Sequence, residues 1–194
     1  MKPSDPSESL ASPQMAASGS VRFRPPRTPG RLLRRERLLK RVAEATALPL
    51  TTLFSAAGYG KTTLLAEFAS DREAAGMTVA WVSLTEADRD GLYFLQSIVR
   101  SYHSQGWRRG EKVLSPLHSG EAGALDDAVD ALLDAVARRD GAAMLILDDF
   151  HLAESDPARK IVSALARGAP RNFSVILSSR TVPELDLARL RVRG

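Results

Sequence analysis

Two hydrophobic rhythms alternate along the chain. Short apolar and β-branched runs at Leu50-Thr51-Thr52-Leu53-Phe54, Thr78-Val79-Ala80-Trp81-Val82-Ser83-Leu84, Ala143-Met144-Leu145-Ile146-Leu147 and Phe173-Ser174-Val175-Ile176-Leu177 predict strands. Between them apolar residues return every three or four positions, which predicts helices. The helical sets are Leu38, Leu39, Val42 and Ala45 before Pro49, the stretch after Thr63, and Leu92, Leu95, Ile98, Val99 and Tyr102 before Gly106. Two more follow: Leu125, Ala128, Val129, Leu132, Leu133 and Val136 before Gly141, then Ile161, Val162, Leu165 and Ala166 after Pro157. Residues 104–120 carry neither rhythm and read as a loop or irregular insert. Strands alternating with helices at this spacing predict an α/β fold with a mostly parallel central sheet and right-handed crossovers.

The ends of the pattern divide the chain. Residues 1–20 are Ser-, Pro- and Ala-rich with few large apolar groups, the composition of a disordered leader. Pro25, Pro26 and Pro29 keep residues 21–30 extended, so 21–48 read as a basic arm followed by a helix, and 49–194 as the α/β domain.

The first predicted strand runs into Ser55-Ala56-Ala57-Gly58-Tyr59-Gly60-Lys61-Thr62-Thr63, and a helix follows. This is the phosphate-loop pattern G-x-x-x-x-G-K-[ST], with Ser55 where its first glycine stands. Such a loop aims successive N–H groups at one anion, and the helix N-terminus behind it adds partial positive charge. Lys61 is placed to reach β- and γ-phosphates, and the Thr62 hydroxyl to ligate Mg²⁺. Tyr59 either shields the bound nucleotide or is an exposed loop aromatic.

A second signal comes from the third strand, whose apolar run ends in Asp148-Asp149. At the carboxyl end of a buried parallel strand, Asp148 can hold the metal and Asp149 can polarise an attacking water. The fourth strand delivers Ser178-Ser179-Arg180 to the same edge. There Arg180 either meets the γ-phosphate or is a surface arginine, and Ser178 and Ser179 either bond the attacking water or end the strand. His151 belongs to no metal-binding set, and with Trp81 and Trp107 it reads as structural.

Composition adds limits. The 194 residues, 44% hydrophobic and 26% charged, suit one sizeable core. No apolar run approaches the ~20 residues of a membrane span, and the first residues lack a secretory h-region. Zero cysteines exclude disulfides and fit a cytoplasmic setting. The net charge of +4 is uneven: residues 1–41 hold ten cations against three acids, and the rest of the chain is mildly acidic. The arm therefore reads as a solvated leader whose arginines do nothing specific, or as a nucleic-acid contact that weakens with salt.

The blocks Ala57–Glu67, Ala80–Leu84, Leu145–Leu152 and Val175–Arg180, in that order, resemble the STAND-class P-loop ATPase module of large LuxR-family, MalT-like bacterial regulators. The Leu187–Arg191 stretch resembles them too. The resemblance implies an ASCE/AAA+-like three-layer sandwich with sheet order 5-1-4-3-2, and an ATP-gated switch whose ADP form is inactive and whose ATP form self-associates. It implies a nucleotide held by Ala57, Gly58, Tyr59, Gly60, Lys61, Thr62 and Thr63, with Arg35 seating it from the N-terminal side. It also implies Mg²⁺ at Thr62 and Asp148, and Asp149 and Arg180 acting on the γ-phosphate. In that family a further strand, helical repeats and a DNA-binding helix-turn-helix follow. The chain is thus expected to be an N-terminal fragment that lacks the last strand, leaves Leu50–Phe54 as an open edge, and touches DNA only through a part it does not contain. A switch with slow or no hydrolysis is the leading expectation. The other is a truncated, non-catalytic interaction protein that pairs with a full-length relative.

Overall fold

The computed structural model describes residues 21–27, 33–118 and 123–185, so the expectations for 1–20 and for 187–191 lie outside the described residues. Helix α1 (Glu36–Ala45) precedes strand β1 (Leu50–Phe54), helix α2 (Lys61–Ala74) and strand β2 (Thr78–Ser83). A short 3₁₀ turn (Glu86–Arg89) leads to α3 (Gly91–Ser104), a 3₁₀ stretch (Arg108–His118) and α4 (Ala124–Ala137). Strand β3 (Ala143–Asp148), a single turn α5 (Phe150–Ala153), α6 (Asp156–Gly168) and β4 (Phe173–Ser179) follow.

The sheet is parallel throughout, in the order β1-β4-β3-β2. This matches four places of the implied 5-1-4-3-2 order. Both faces of its inner strands are apolar, as a parallel sheet covered on two sides requires. Because side chains alternate along a strand, Ala80, Val82, Leu145, Leu147, Val175 and Leu177 face the core shared with α3, α4 and α6. Val79, Trp81, Met144, Ile146 and Ile176 face the core shared with α1 and α2. The result is three layers. Strand β1 pairs only with β4 among the described residues, and Phe54 at its end is exposed, so this strand is half-buried, as expected of an edge.

Helix starts follow local chemistry. Asp90 accepts the Tyr93 N–H at 2.8 Å ahead of α3, and Ser155 accepts the Ala158 N–H at 3.3 Å ahead of α6, where Pro157 occupies the first turn. Residues 104–120 are not the loose insert their pattern suggests. Their 3₁₀ stretch packs on the core through buried Val113, and Trp107 just before it meets Tyr102 edge to face at 5.1 Å. Pro116 and the lack of a 3.6-residue rhythm hid this.

The arm is also more committed than its composition suggests. The Arg22 carbonyl accepts the Ser83 N–H at 2.8 Å, and Phe23 is buried in the larger core. The Arg22 guanidinium pairs with Asp88, which is fully buried and also accepts from the Thr85 N–H at 2.7 Å and the Ser97 hydroxyl at 2.7 Å. Reading these arginines as inert is therefore corrected, because a buried carboxylate needs a counter-charge. Arg22→Ala is expected to lower stability in urea unfolding by about 2–3 kcal/mol, the low end for breaking a buried pair because Asp88 keeps its other donors.

Candidate functional site

The strand register brings the carboxyl ends together: Phe54 lies beside Ser179, and Ser83 beside Asp148. Ligands of open parallel sheets bind at this edge. The loop after β1 turns through Gly58 (φ 83°) and Gly60 (φ 73°), both left-handed. Gly60 is doubly constrained, since a Cβ there would also stand 2.7 Å from Arg35 Nη2. Position 55 is different. Asp149 is the sole described non-glycine residue with positive φ, so Ser55 sits in ordinary backbone and the pattern's first glycine is not needed here.

Ser55 instead helps hold the lysine. Lys61 is buried, and its Nζ donates to the carbonyls of Ser55 at 2.5 Å and Ala56 at 3.1 Å. Gly60 caps α2 without a side-chain bond, and no acid lies in the first turn, so the leading N–H groups and positive helix end suit an anion. Ala57, Gly58 and Tyr59 are exposed at the loop tip; Thr62 and Thr63 are half-buried behind it.

Two neighbouring arginines fasten α1 to this unit. Arg35 donates to the carbonyls of Tyr59 at 3.1 Å and Gly60 at 2.8 Å, so the residue expected to seat the nucleotide grips the loop backbone. Arg34 pairs with Asp71 of α2 at 2.6 Å.

Across from the loop, the Asp148 carboxylate is 2% exposed. Burial raises its pKa above the ordinary carboxylate value, opposed by hydrogen bonds from the hydroxyls of Ser178 and Thr62, while the neighbouring Asp149 charge adds to the rise. Thr62 and Asp148, widely separated in sequence, are therefore neighbours at this edge. Asp149 holds left-handed backbone (φ 59°, ψ 43°), donates its N–H to Ser178 Oγ at 3.1 Å and keeps its carboxylate partly exposed. Arg180 follows β4 on the surface of the same edge.

His151, read from the sequence as structural, lies beside Asp149. Its Nδ1 is 3.8 Å from Asp149 Oδ1, and neither buried ring nitrogen has a hydrogen-bond partner. Burial lowers its pKa; Arg180 and Lys61 act in the same direction and Asp149 opposes. Its place two residues after Asp149, in the turn leaving β3, was the available signal.

Among the described residues no group of three or more His, Cys, Asp or Glu could hold a metal ion. The neighbouring Thr62 hydroxyl and Asp148 carboxylate are still the hard oxygen donors Mg²⁺ takes, with phosphate oxygens and water completing its shell. The residues fit that ion.

Over 161 residues, 82% of this chain, the sequence is 33% identical to the HTH-type transcriptional regulator MalT of Yersinia pestis (strain Pestoides F) and 32% identical to that of Yersinia enterocolitica. The chain spans 17% of the length of these curated relatives. A chain of the Drosophila ORC structure bound to DNA superposes with a TM-score of 0.51 at 14% identity, covering 99% of this chain and 50% of that one, which is a likeness of fold. No family model matches. The chain is a relative of the MalT-type regulators with a P-loop NTPase fold of the AAA+ kind.

A buried carboxylate raised in pKa costs stability when ionised. The native state holds its proton more readily than the unfolded chain, so Asp148 detracts from stability once pH exceeds the unfolded carboxylate pKa, and increasingly up to the folded one. Asp148→Asn is expected to raise the thermal midpoint at pH 7. The advantage should shrink as pH falls toward about 4, the unfolded carboxylate value, and be absent below it, and thermal scans across pH check both points.

Proposed function

We propose, from kinship with MalT-type regulators, that this domain is an ATP-binding, Mg²⁺-dependent nucleotide switch of a cytoplasmic transcriptional regulator, with slow or no hydrolysis. One observation carries the reading: Lys61 and Thr62, opening the phosphate-loop helix, stand at the same sheet edge as the buried Asp148 at the end of β3, near enough for the Thr62 hydroxyl to lower that acid's pKa. A strand-to-helix turn with a chance Gly-Lys-Thr has no reason to meet a buried acid from a distant strand.

In this reading the N–H groups of Gly58 to Thr63 cradle the phosphates, and Lys61 leaves its carbonyl partners to reach the β- and γ-phosphates. Arg35 keeps the loop in register. Thr62 and Asp148 hold Mg²⁺, which neutralises phosphate charge when bound. Asp149 orients a water opposite the γ-phosphate, and Arg180 meets the charge on that group from the end of β4. Reading ATP against ADP then falls to Asp149 and Arg180, both on strands tied to the loop. Contact with DNA is assigned to a part of such a regulator other than this chain.

The side of β1 that has no strand partner among the described residues favours a second reading, in which the domain associates with another copy or a full-length relative through that edge without turnover. No described helix is long and apolar enough to cross a membrane.

Lys61→Ala is expected to weaken ATP binding about a hundredfold, since a charge-assisted contact to phosphate is lost. Titration calorimetry measures it, and unchanged affinity would sink the nucleotide reading. Asp149→Asn should abolish whatever hydrolysis the wild type shows while leaving ATP bound; hydrolysis persisting in that variant would remove Asp149 from its role.

A further inference from the structure

We propose that Ser178 is the positioning residue that joins the two acids into one unit and so makes nucleotide binding depend on Mg²⁺; this rests on the nucleotide-switch reading. A serine hydroxyl has one donor and two acceptor sites. Here the donor goes to Asp148 Oδ1 and an acceptor site takes the Asp149 N–H at 3.1 Å. Ser178 is fully buried on β4, so water is not at hand to replace either bond.

The backbone it holds is costly. Left-handed geometry is unfavourable for a residue with a Cβ, and it persists where surroundings enforce it. Ser178 does this from the neighbouring strand: Leu177 pairs with Leu147, which places Ser178 beside Asp148. The same hydroxyl thus sets the rotamer of the Asp148 carboxylate and the turn that carries Asp149. Arg180 lies two residues further along, so the strand that fixes the acids also carries the cation expected at the γ-phosphate. In Ser178→Ala the Asp148 carboxylate loses the bond defining its orientation, and the Asp149 N–H loses its partner.

The test is made on the full chain with a fluorescent ATP analogue, in Mg²⁺ and in EDTA, for wild type, Ser178→Ala, Ser178→Thr and Lys61→Ala. Amide hydrogen exchange of residues 148–150 is followed without nucleotide. The expected result is that Ser178→Ala loses about tenfold in affinity with Mg²⁺ but stays within about twofold in EDTA, as for one lost bond to a charged group. Its Asp149 amide exchanges faster. Ser178→Thr, which keeps the hydroxyl, restores both. Wild-type Mg²⁺ dependence in Ser178→Ala overturns the proposal, and so does equal loss with and without the ion, the mark of general unfolding. If Lys61→Ala weakens binding while Ser178→Ala does not alter its Mg²⁺ dependence, this inference alone falls. If Lys61→Ala changes nothing, the nucleotide reading falls with it.

Discussion

A carboxylate without water needs donors, and at Asp148 those donors organise the edge of the sheet. The Ser178 hydroxyl of the adjacent strand bonds to it, and Thr62 of the helix that opens the phosphate loop lies near, so a single buried acid brings α2, β3 and β4 together at one edge. Burial works against ionisation and the hydroxyls work for it. The balance leaves a group that is unfavourable for the fold when ionised.

The parallel sheet makes that arrangement possible. With all four strands pointing one way, their loops gather at one edge, and the two apolar cores keep the strands from shifting relative to each other. Trp81, fully buried beneath α1 and α2, and Phe94 and Phe150, meeting edge to face at 6.4 Å on the other side, fill the layers just behind the site. Rigid elements placed this way can hold a hydroxyl and a carboxylate to within fractions of an ångström, as loops alone do not.

Much of this was legible in the amino-acid order because the relevant signals are local. Strand runs such as Ala143–Leu147 and the Leu125–Val136 helix are set by side-chain period, and the Gly60-Lys61-Thr62 turn by backbone geometry. What the order hid depends on distant partners. Ser55 looked like a defect until its ordinary φ and its carbonyl bond to Lys61 were visible. Arg22 looked like part of a charge run, yet its partner Asp88 is 66 positions away. His151 looked structural because a lone histidine has no periodicity to betray it, and the 3₁₀ stretch at Arg108–His118 follows neither rhythm.

The grip of Arg35 on the Tyr59 and Gly60 carbonyls has a consequence beyond holding the loop. It makes the docking of α1 and the shape of the phosphate cradle two faces of one equilibrium, and coupling of that kind is reciprocal. Any free energy by which bound phosphate favours the loop's geometry is returned, in equal measure, as tighter seating of α1 on α2. The segment before β1 is then a mechanical handle on the site, and whatever pulls on that handle is felt by the ligand.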